Sequence, residues 1–61
     1  MDRKDVAELR RAMEETRRLA GDARSSDDRK RVGYYMAQTK FVNLLMLHAD
    51  DLIGLAERWA R

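Results

Sequence analysis

The hydrophobic positions of the chain form two stretches with helical spacing, separated by one polar segment. In the first stretch, apolar and small residues recur at steps of three and four, which is typical of a narrow helical seam. This seam consists of Val6, Leu9, Met13, Thr16, Ala20 and Ala23. Proline is absent and good helix formers predominate. The pattern predicts a first helix over about residues 3–21.

The start and the outer face of this first helix are polar. Asp2 or Asp5 can cap it, and Asp5 with Glu8 has the spacing of a capping box. On the face opposite the seam, Arg10 and Glu14 stand four residues apart and are expected to form an ion pair. We expect this face to be solvated.

The polar segment over about residues 22–27 is the predicted turn. Ser25 or Ser26 near its end can cap a second helix. The aspartates that follow would lie in the first helical turn, where negative charge interacts favourably with the helix dipole. The second helix is predicted over about residues 28–59.

The second predicted helix carries two adjacent apolar seams. The Val32 seam consists of Val32, Tyr35, Thr39, Val42, Met46, Ala49, Ile53, Ala56 and Ala60. The Tyr34 seam consists of Tyr34, Gln38, Phe41, Leu45, His48, Leu52, Leu55 and Trp59. Because neighbouring helical residues are about 100° apart, the two seams together form one broad apolar face. That face is too wide for a single thin partner helix.

The unequal lengths of the two helices predict an interface. At 1.5 Å per residue the helices span about 30 Å and about 48 Å, so a folded-back first helix leaves the segment 52–59 without a partner. An exposed apolar segment of this kind marks an interaction site. Leu47, an apolar residue on the otherwise polar strip of the second helix, indicates the same.

The size of the chain supports self-association. A domain of about 60 residues buries only about 60% of its unfolded surface and needs disulfides, metals or oligomerisation. With no cysteine and one histidine in the chain, oligomerisation remains. The predicted fold is all-α: one domain, residues 1–61, forming a two-helix antiparallel hairpin with a longer second helix, assembled as a homo-oligomeric bundle, dimer or tetramer. The predicted interface residues are Phe41, Leu44, Leu45, Leu47, His48, Leu52, Leu55 and Trp59.

Composition narrows the class of protein. Charged residues make up 39% of the chain, yet the formal net charge is only +2, which is weak evidence for nucleic acid as a partner. No disulfide scaffold, metal site or cofactor is expected. The N-terminus lacks the apolar run of a signal peptide, and the longest apolar run, residues 44–47, is far shorter than the roughly 20 residues of a membrane span. We expect a soluble, cytoplasmic protein with no membrane partner.

Catalytic chemistry is not expected. His48 has an unperturbed pKa of about 6.5 and could act as a pH-sensitive group, but a histidine hydrogen-bonded within an interface is the more ordinary interpretation. Asp50 and Asp51 are consecutive, so on a helix they point about 100° apart and do not form an acid–base pair. No nucleophile, base and orienting group have the spacing that a catalytic site needs. We therefore expect a non-enzymatic protein.

A basic cluster with an aromatic ring is the best candidate ligand site. It consists of Arg24, Arg29, Lys30, Arg31, Tyr34 and Lys40. Cations suit phosphates and a ring can stack on a base, while Tyr35 belongs to a seam and leaves Tyr34 as the free ring. Against this, Asp22, Asp27 and Asp28 lie in the same stretch, which favours a solvated, salt-bridged turn. Both interpretations stay open.

Residues 39–57 resemble the tail of a phage protein family. The likeness rests on Phe41-Val42, on Ala49-Asp50 and on the run Leu52-Ile53-Gly54-Leu55-Ala56-Glu57. These residues are similar to those of small Ead-like accessory proteins of temperate phages. The resemblance implies a phage or prophage origin, a dispensable role and, for a phage protein, the host cytoplasm. It brings no active site.

Three functions follow as hypotheses. The first is a homo-oligomer that sequesters a small anionic ligand, such as a nucleotide signal of host defence, between its subunits. The second is an interaction module that docks an apolar helix on a host or phage protein. The third, a weak nucleic-acid-binding accessory, has little support because no helix-turn-helix spacing is present.

Overall fold

The computed structural model describes residues 1–60, and every regular element among them is helical. In chain order these are α1 (Arg3–Arg18), a short 3-10 helix (Ala20–Arg24), α2 (Asp28–Leu47) and α3 (Ala49–Trp59). The prediction of an all-α protein is confirmed. The number of helices is not the predicted one, since three α-helices replace two.

The start of α1 is fixed by a capping box one turn earlier than Asp5 and Glu8 would place it. The Asp2 carboxylate accepts a hydrogen bond from the Asp5 backbone N–H at 2.9 Å, and the Asp5 carboxylate accepts one from the Asp2 N–H at 3.2 Å. Reciprocal bonds of this kind satisfy two donors that the first helical turn leaves free. Asp2 is therefore the N-cap.

The connection between α1 and α2 is more ordered than the predicted turn. The first helix ends at Arg18, before residue 21, and the 3-10 helix occupies much of the segment expected to turn. Asp27, and neither serine, caps α2, because its carboxylate accepts from the Arg29 N–H at 2.9 Å. Ser25 supports this cap by accepting from the Asp27 N–H at 3.0 Å.

A break at His48 divides the predicted second helix into α2 and α3, so the expectation of one helix over about 28–59 is corrected. His48 has φ −104° and ψ 16°, outside the helical range. The hydrogen bonding nevertheless continues across it, from the His48 N–H to the Leu44 carbonyl at 3.1 Å and from the Leu52 N–H to the His48 carbonyl at 3.0 Å. Asp50 and Asp51 then provide the negative charge that a helix start favours.

The packing of α1 on α2 uses small side chains. Ala12, 6% exposed, is the one buried residue among residues 1–60. Thr16 donates its hydroxyl to the Ala12 carbonyl at 2.8 Å, and the same oxygen lies 3.2 Å from the Ala37 carbonyl of α2. At the other end of α1, the Met1 amino group pairs with the Asp51 carboxylate at 3.1 Å. Later residues of α1 thus meet earlier residues of the following helices.

Candidate interaction surfaces

The two apolar seams of α2 have different environments. Three of the four Tyr34-seam residues on α2, namely Tyr34, Phe41 and Leu45, are half-buried, and Gln38 is exposed. The Val32 seam lies about 100° away around the helix. Its exposed fractions are 55% at Val32, 54% at Tyr35, 42% at Val42 and 72% at Met46, and Thr39 is also exposed. The Tyr34 seam is therefore partly covered within the chain, and the Val32 seam is exposed.

The predicted interface residues fall into two groups. Phe41, Leu44, Leu45, His48 and Leu52 are half-buried within the single chain, whereas Leu47, Leu55 and Trp59 are exposed. In the second group, Leu47 and Trp59 offer most of their surface to another molecule, at 74% and 86% exposed, and Leu55 is 45% exposed. The exposed Val32 seam is absent from the predicted set, because sequence alone gives no reason to prefer either seam as the inner one.

The two tyrosines have exchanged the roles expected of them. Tyr34, expected to be free, is half-buried, and Tyr35, expected in the core, is 54% exposed. Their rings stand edge to face with centroids 5.3 Å apart, a favoured aromatic geometry. Of the two rings, Tyr35 is the one available for stacking in the single chain.

The basic residues of the candidate ligand site do not converge on one point. Arg24 ends the 3-10 helix, while Arg29 and Lys30 lie exposed in the first turn of α2. Within residues 1–60 none of these three side chains forms a salt bridge. Arg31 does, with Asp28 on the same helix. The free cations are thus clustered at the beginning of α2.

Lys40 lies apart from the other cations. It lines a cleft of about 250 Å³ between α1 and α2, together with Glu8, Arg11 and Glu15 of α1. Two carboxylates and a second cation share this cleft, so its charges offset each other. The structure therefore separates Lys40 from the cluster in which the sequence placed it.

Two further concavities are mainly apolar. One, of about 470 Å³, lies beside Lys40 and is lined by Glu8, Met36, Thr39, Lys40, Asn43, Leu44 and Leu47. The other, of about 330 Å³, is formed near the end of α3 by Leu55, Ala56 and Trp59, and Trp59 is 86% exposed. Both are open features of the surface.

The ionisable groups with shifted pKa values lie on the surface, at or near the two ends of α1. The Asp5 backbone N–H lowers the pKa of the Asp2 carboxyl, and the hydrogen bond from Arg18 lowers that of Glu15. The hydrogen bond to Asp51 raises the pKa of the Met1 amino group. Each shift reflects a local pair that stabilises a charged form.

The chain exposes more surface than its mass requires. A folded monomer of 7.2 kDa is expected to expose about 4,100 Å², whereas this chain exposes 5402 Å². The Cα radius of gyration is 14.0 Å, compared with about 10.5 Å for a compact domain of this length. The excess of about 1,300 Å² exceeds the roughly 800 Å² that each partner contributes to a standard protein interface.

No protein-family model, curated protein or solved structure matches this chain. The likeness of residues 39–57 to Ead-like tails therefore stays a prediction. Within residues 1–60, no three acidic or histidine side chains are grouped as a metal site would need, and no helix has the length and apolar character to cross a membrane.

Proposed function

We propose that the chain is a non-enzymatic binding protein that works as a subunit of a homo-oligomeric helical bundle. The observation that carries this proposal is the exposed Val32 seam on α2. Helices with apolar residues on all sides belong in a core, and α2 lacks one, because α1 covers only the Tyr34 side. An oligomer would provide the missing half of that core.

A second copy is the most economical partner for this surface. Every copy carries the same apolar seam, and most soluble oligomers are symmetric homo-oligomers. With Ala12 as the one buried residue among residues 1–60, the chain has little core of its own. Association that stabilises only the folded form would raise its apparent stability by mass action. Self-association thus supports both the fold and the function of this chain.

Native mass spectrometry of the purified protein tests the proposal directly. We expect dimers or tetramers at micromolar concentration, and a thermal midpoint that rises with protein concentration because association is linked to folding. The matched variant carries Val42→Glu and Met46→Glu, which place two charges in the exposed seam. We expect this variant to be monomeric. A folded monomer whose thermal midpoint does not depend on concentration would refute the proposal.

Sequestration of a small anionic ligand is the second candidate. Arg24, Arg29 and Lys30 support it, because these cations at the end of the 3-10 helix and in the first turn of α2 are exposed and without salt bridges among the described residues. The exposed Tyr35 ring lies six residues after Arg29 on α2 and could stack on a base. In an oligomer, residues of a neighbouring chain would add to this site. A phage-type accessory that counters a host nucleotide signal would act in this way.

Ligand sequestration is tested by looking for a bound small molecule. Native mass spectra of the protein from its source cell are expected to show a retained nucleotide-sized mass. Titration calorimetry with mononucleotides and cyclic dinucleotides is expected to show binding that Arg29→Ala abolishes, while the matched change Arg17→Ala on α1 has no effect. Equal binding by both variants, or no binding by the oligomer, would contradict sequestration.

Docking on a host or phage protein remains the alternative, and the end of α3 supports it. Trp59 and Leu55 form an exposed apolar patch beside a cavity of about 330 Å³, and exposed aromatic residues often anchor interfaces. Under this alternative, Trp59→Ala would abolish co-purification of one defined partner without changing the oligomer. Under sequestration, Trp59→Ala would leave ligand binding unchanged.

A further inference from the structure

The exposed part of the Val32 seam has the spacing of a coiled-coil core. Its members on α2 are Val32, Tyr35, Thr39, Val42 and Met46. The steps between them are alternately three and four residues, which is the repeat that lets two helices pack knobs into holes. All five are exposed. The chain thus presents a complete coiled-coil seam with no partner helix of its own.

This seam is complementary to itself in the antiparallel orientation. With the two-fold axis opposite the midpoint between residues 40 and 41, Thr39 packs beside the partner's Val42. Tyr35 then packs beside the partner's Met46, a sulfur–aromatic contact of a favourable kind. Symmetry repeats each of these contacts, so that four layers fill the seam from Tyr35 to Met46, and Val32 lies beyond them. Two of these layers pair Tyr35 with Met46, and the other two pair Thr39 with Val42.

The charges favour the same orientation. In the antiparallel pair the basic beginning of α2, which holds Arg29 and Lys30, lies level with the partner's α3 start, which holds Asp50 and Asp51. A parallel pair would instead bring the two basic beginnings together, and like charges at close range repel. Antiparallel α2 helices also place opposite ends of the helix dipoles side by side.

We propose that two copies of the chain pair through the Val32 seam as an antiparallel, two-fold symmetric coiled coil of their α2 helices. This inference rests on the proposed homo-oligomer and specifies its surface, orientation and register. The single chain exposes about 1,300 Å² more than a compact monomer of its mass, and each partner contributes roughly 800 Å² to a standard interface. The result is a bundle in which α1 covers one side of α2 and the partner's α2 covers the other.

Cysteine cross-linking tests the orientation, because the natural chain has no cysteine. Tyr35→Cys and Met46→Cys are made in separate chains of full length, one carrying an additional tag that changes its mobility. The two are mixed, oxidised and separated without reductant. We expect a disulfide-linked heterodimer, since these positions pair in the proposed register and helices in contact approach closely enough for a disulfide.

Each variant alone provides the matched control. Tyr35 and the partner's Tyr35 would be roughly 16 Å apart along the axis at 1.5 Å per residue, too far for a disulfide. Single variants are therefore expected to remain unlinked, as is Glu14→Cys on the exposed face of α1. Thr39→Cys mixed with Val42→Cys is a second pair with the same expected result; each of these positions lies only about 4.5 Å along the axis from its own copy, so the single variants of Tyr35 and Met46 serve as its controls. Both positions are exposed, so the folded chain tolerates the changes.

The outcomes separate the inference from the proposal on which it rests. Cross-linking of Tyr35→Cys with itself would show a parallel pair and overturn the inference. An oligomer by native mass spectrometry in which neither mixture cross-links would overturn it as well, while the homo-oligomer would stand. A monomer at all concentrations would overturn both.

Discussion

Replacing Met46 by glutamate should weaken association while leaving the single chain folded. Met46 is 72% exposed in the chain, so its substitution changes the stability of the monomer by no more than about 0.5 kcal/mol. Glutamate is also a good helix former. In the antiparallel dimer, however, Met46 packs against the partner's Tyr35, and the substitution affects two such contacts.

The magnitude follows from the area that remains to be buried. Full burial of a methionine side chain contributes about 1.5–3 kcal/mol, and roughly two thirds of that is still available at Met46. Two copies per dimer then give about 2–4 kcal/mol, which corresponds to a Kd about 30 to 700 times higher. The cost of removing a carboxylate from water would add to this effect.

Leu47→Glu is the matched comparison. Leu47 is 74% exposed and adjacent in sequence, but it points about 100° away from Met46. We expect its Kd to change less than about threefold. Sedimentation equilibrium over a range of concentrations measures both constants, and circular dichroism verifies that helix content is kept. Equal weakening by both substitutions would indicate unspecific apolar association, and no weakening by Met46→Glu would refute the proposed seam.

Three further predictions concern the fold. Thr16→Val removes the hydroxyl between the Ala12 and Ala37 carbonyls and should lower the free energy of unfolding in urea by about 0.5–1.5 kcal/mol, with Thr16→Ser, which keeps the hydroxyl, as the control. Asp27→Ala removes the N-cap of α2 and should cost about 1 kcal/mol in the same assay, whereas Ser26→Ala should change it little. The raised pKa of the Met1 amino group stabilises the folded chain below pH 8.0, its ordinary value, and this stabilisation is lost as the pH rises through the raised value. The thermal midpoint should therefore fall as the pH rises over this range, and it should fall less in Asp51→Asn. Identical curves for the two chains would contradict the pairing of the Met1 amino group with Asp51.

Helix content was predictable because local signals agree along most of the chain. Absence of proline, helix-forming composition and three–four spacing all favour helices, and each predicted helical stretch is helical in the structure. Boundaries were less predictable, since several residues at each end can cap a helix. Asp2, Asp5, Ser25 and Asp27 all have suitable side chains, and only the backbone geometry decides among them.

The break at His48 and the choice of the inner seam could not be predicted from the chain. No proline or glycine marks residue 48, so the local sequence continues the helix. The Val32 and Tyr34 seams are both apolar, and which of them meets α1 depends on the path of the connection. That choice also determines which aromatic ring is available at the candidate ligand site, because Tyr35 is exposed and Tyr34 is half-buried.

The separation of Lys40 from the other cations has a similar cause. In sequence it lies within ten residues of Arg31, and a one-dimensional cluster includes both. On α2 the two positions are more than two turns apart, and Lys40 faces the carboxylates of α1 in the cleft that includes Glu8 and Glu15. Proximity in sequence predicts proximity in space only over about one helical turn.

The surface that stays exposed in the proposed dimer bears on both proposed activities, the sequestration of a ligand and docking on a protein. Pairing through the Val32 seam would leave Leu47 on α2 and Leu55 and Trp59 on α3 exposed. Exposed apolar residues that lie together often mark an interaction site. In the proposed antiparallel dimer the two α3 helices lie at opposite ends, so that Leu55 and Trp59 of one chain lie near the basic beginning of α2 of the other. An apolar patch with aromatic character beside cations is a suitable environment for a nucleotide as well as for a peptide, so the dimer provides a physical reason for both proposed activities to depend on assembly.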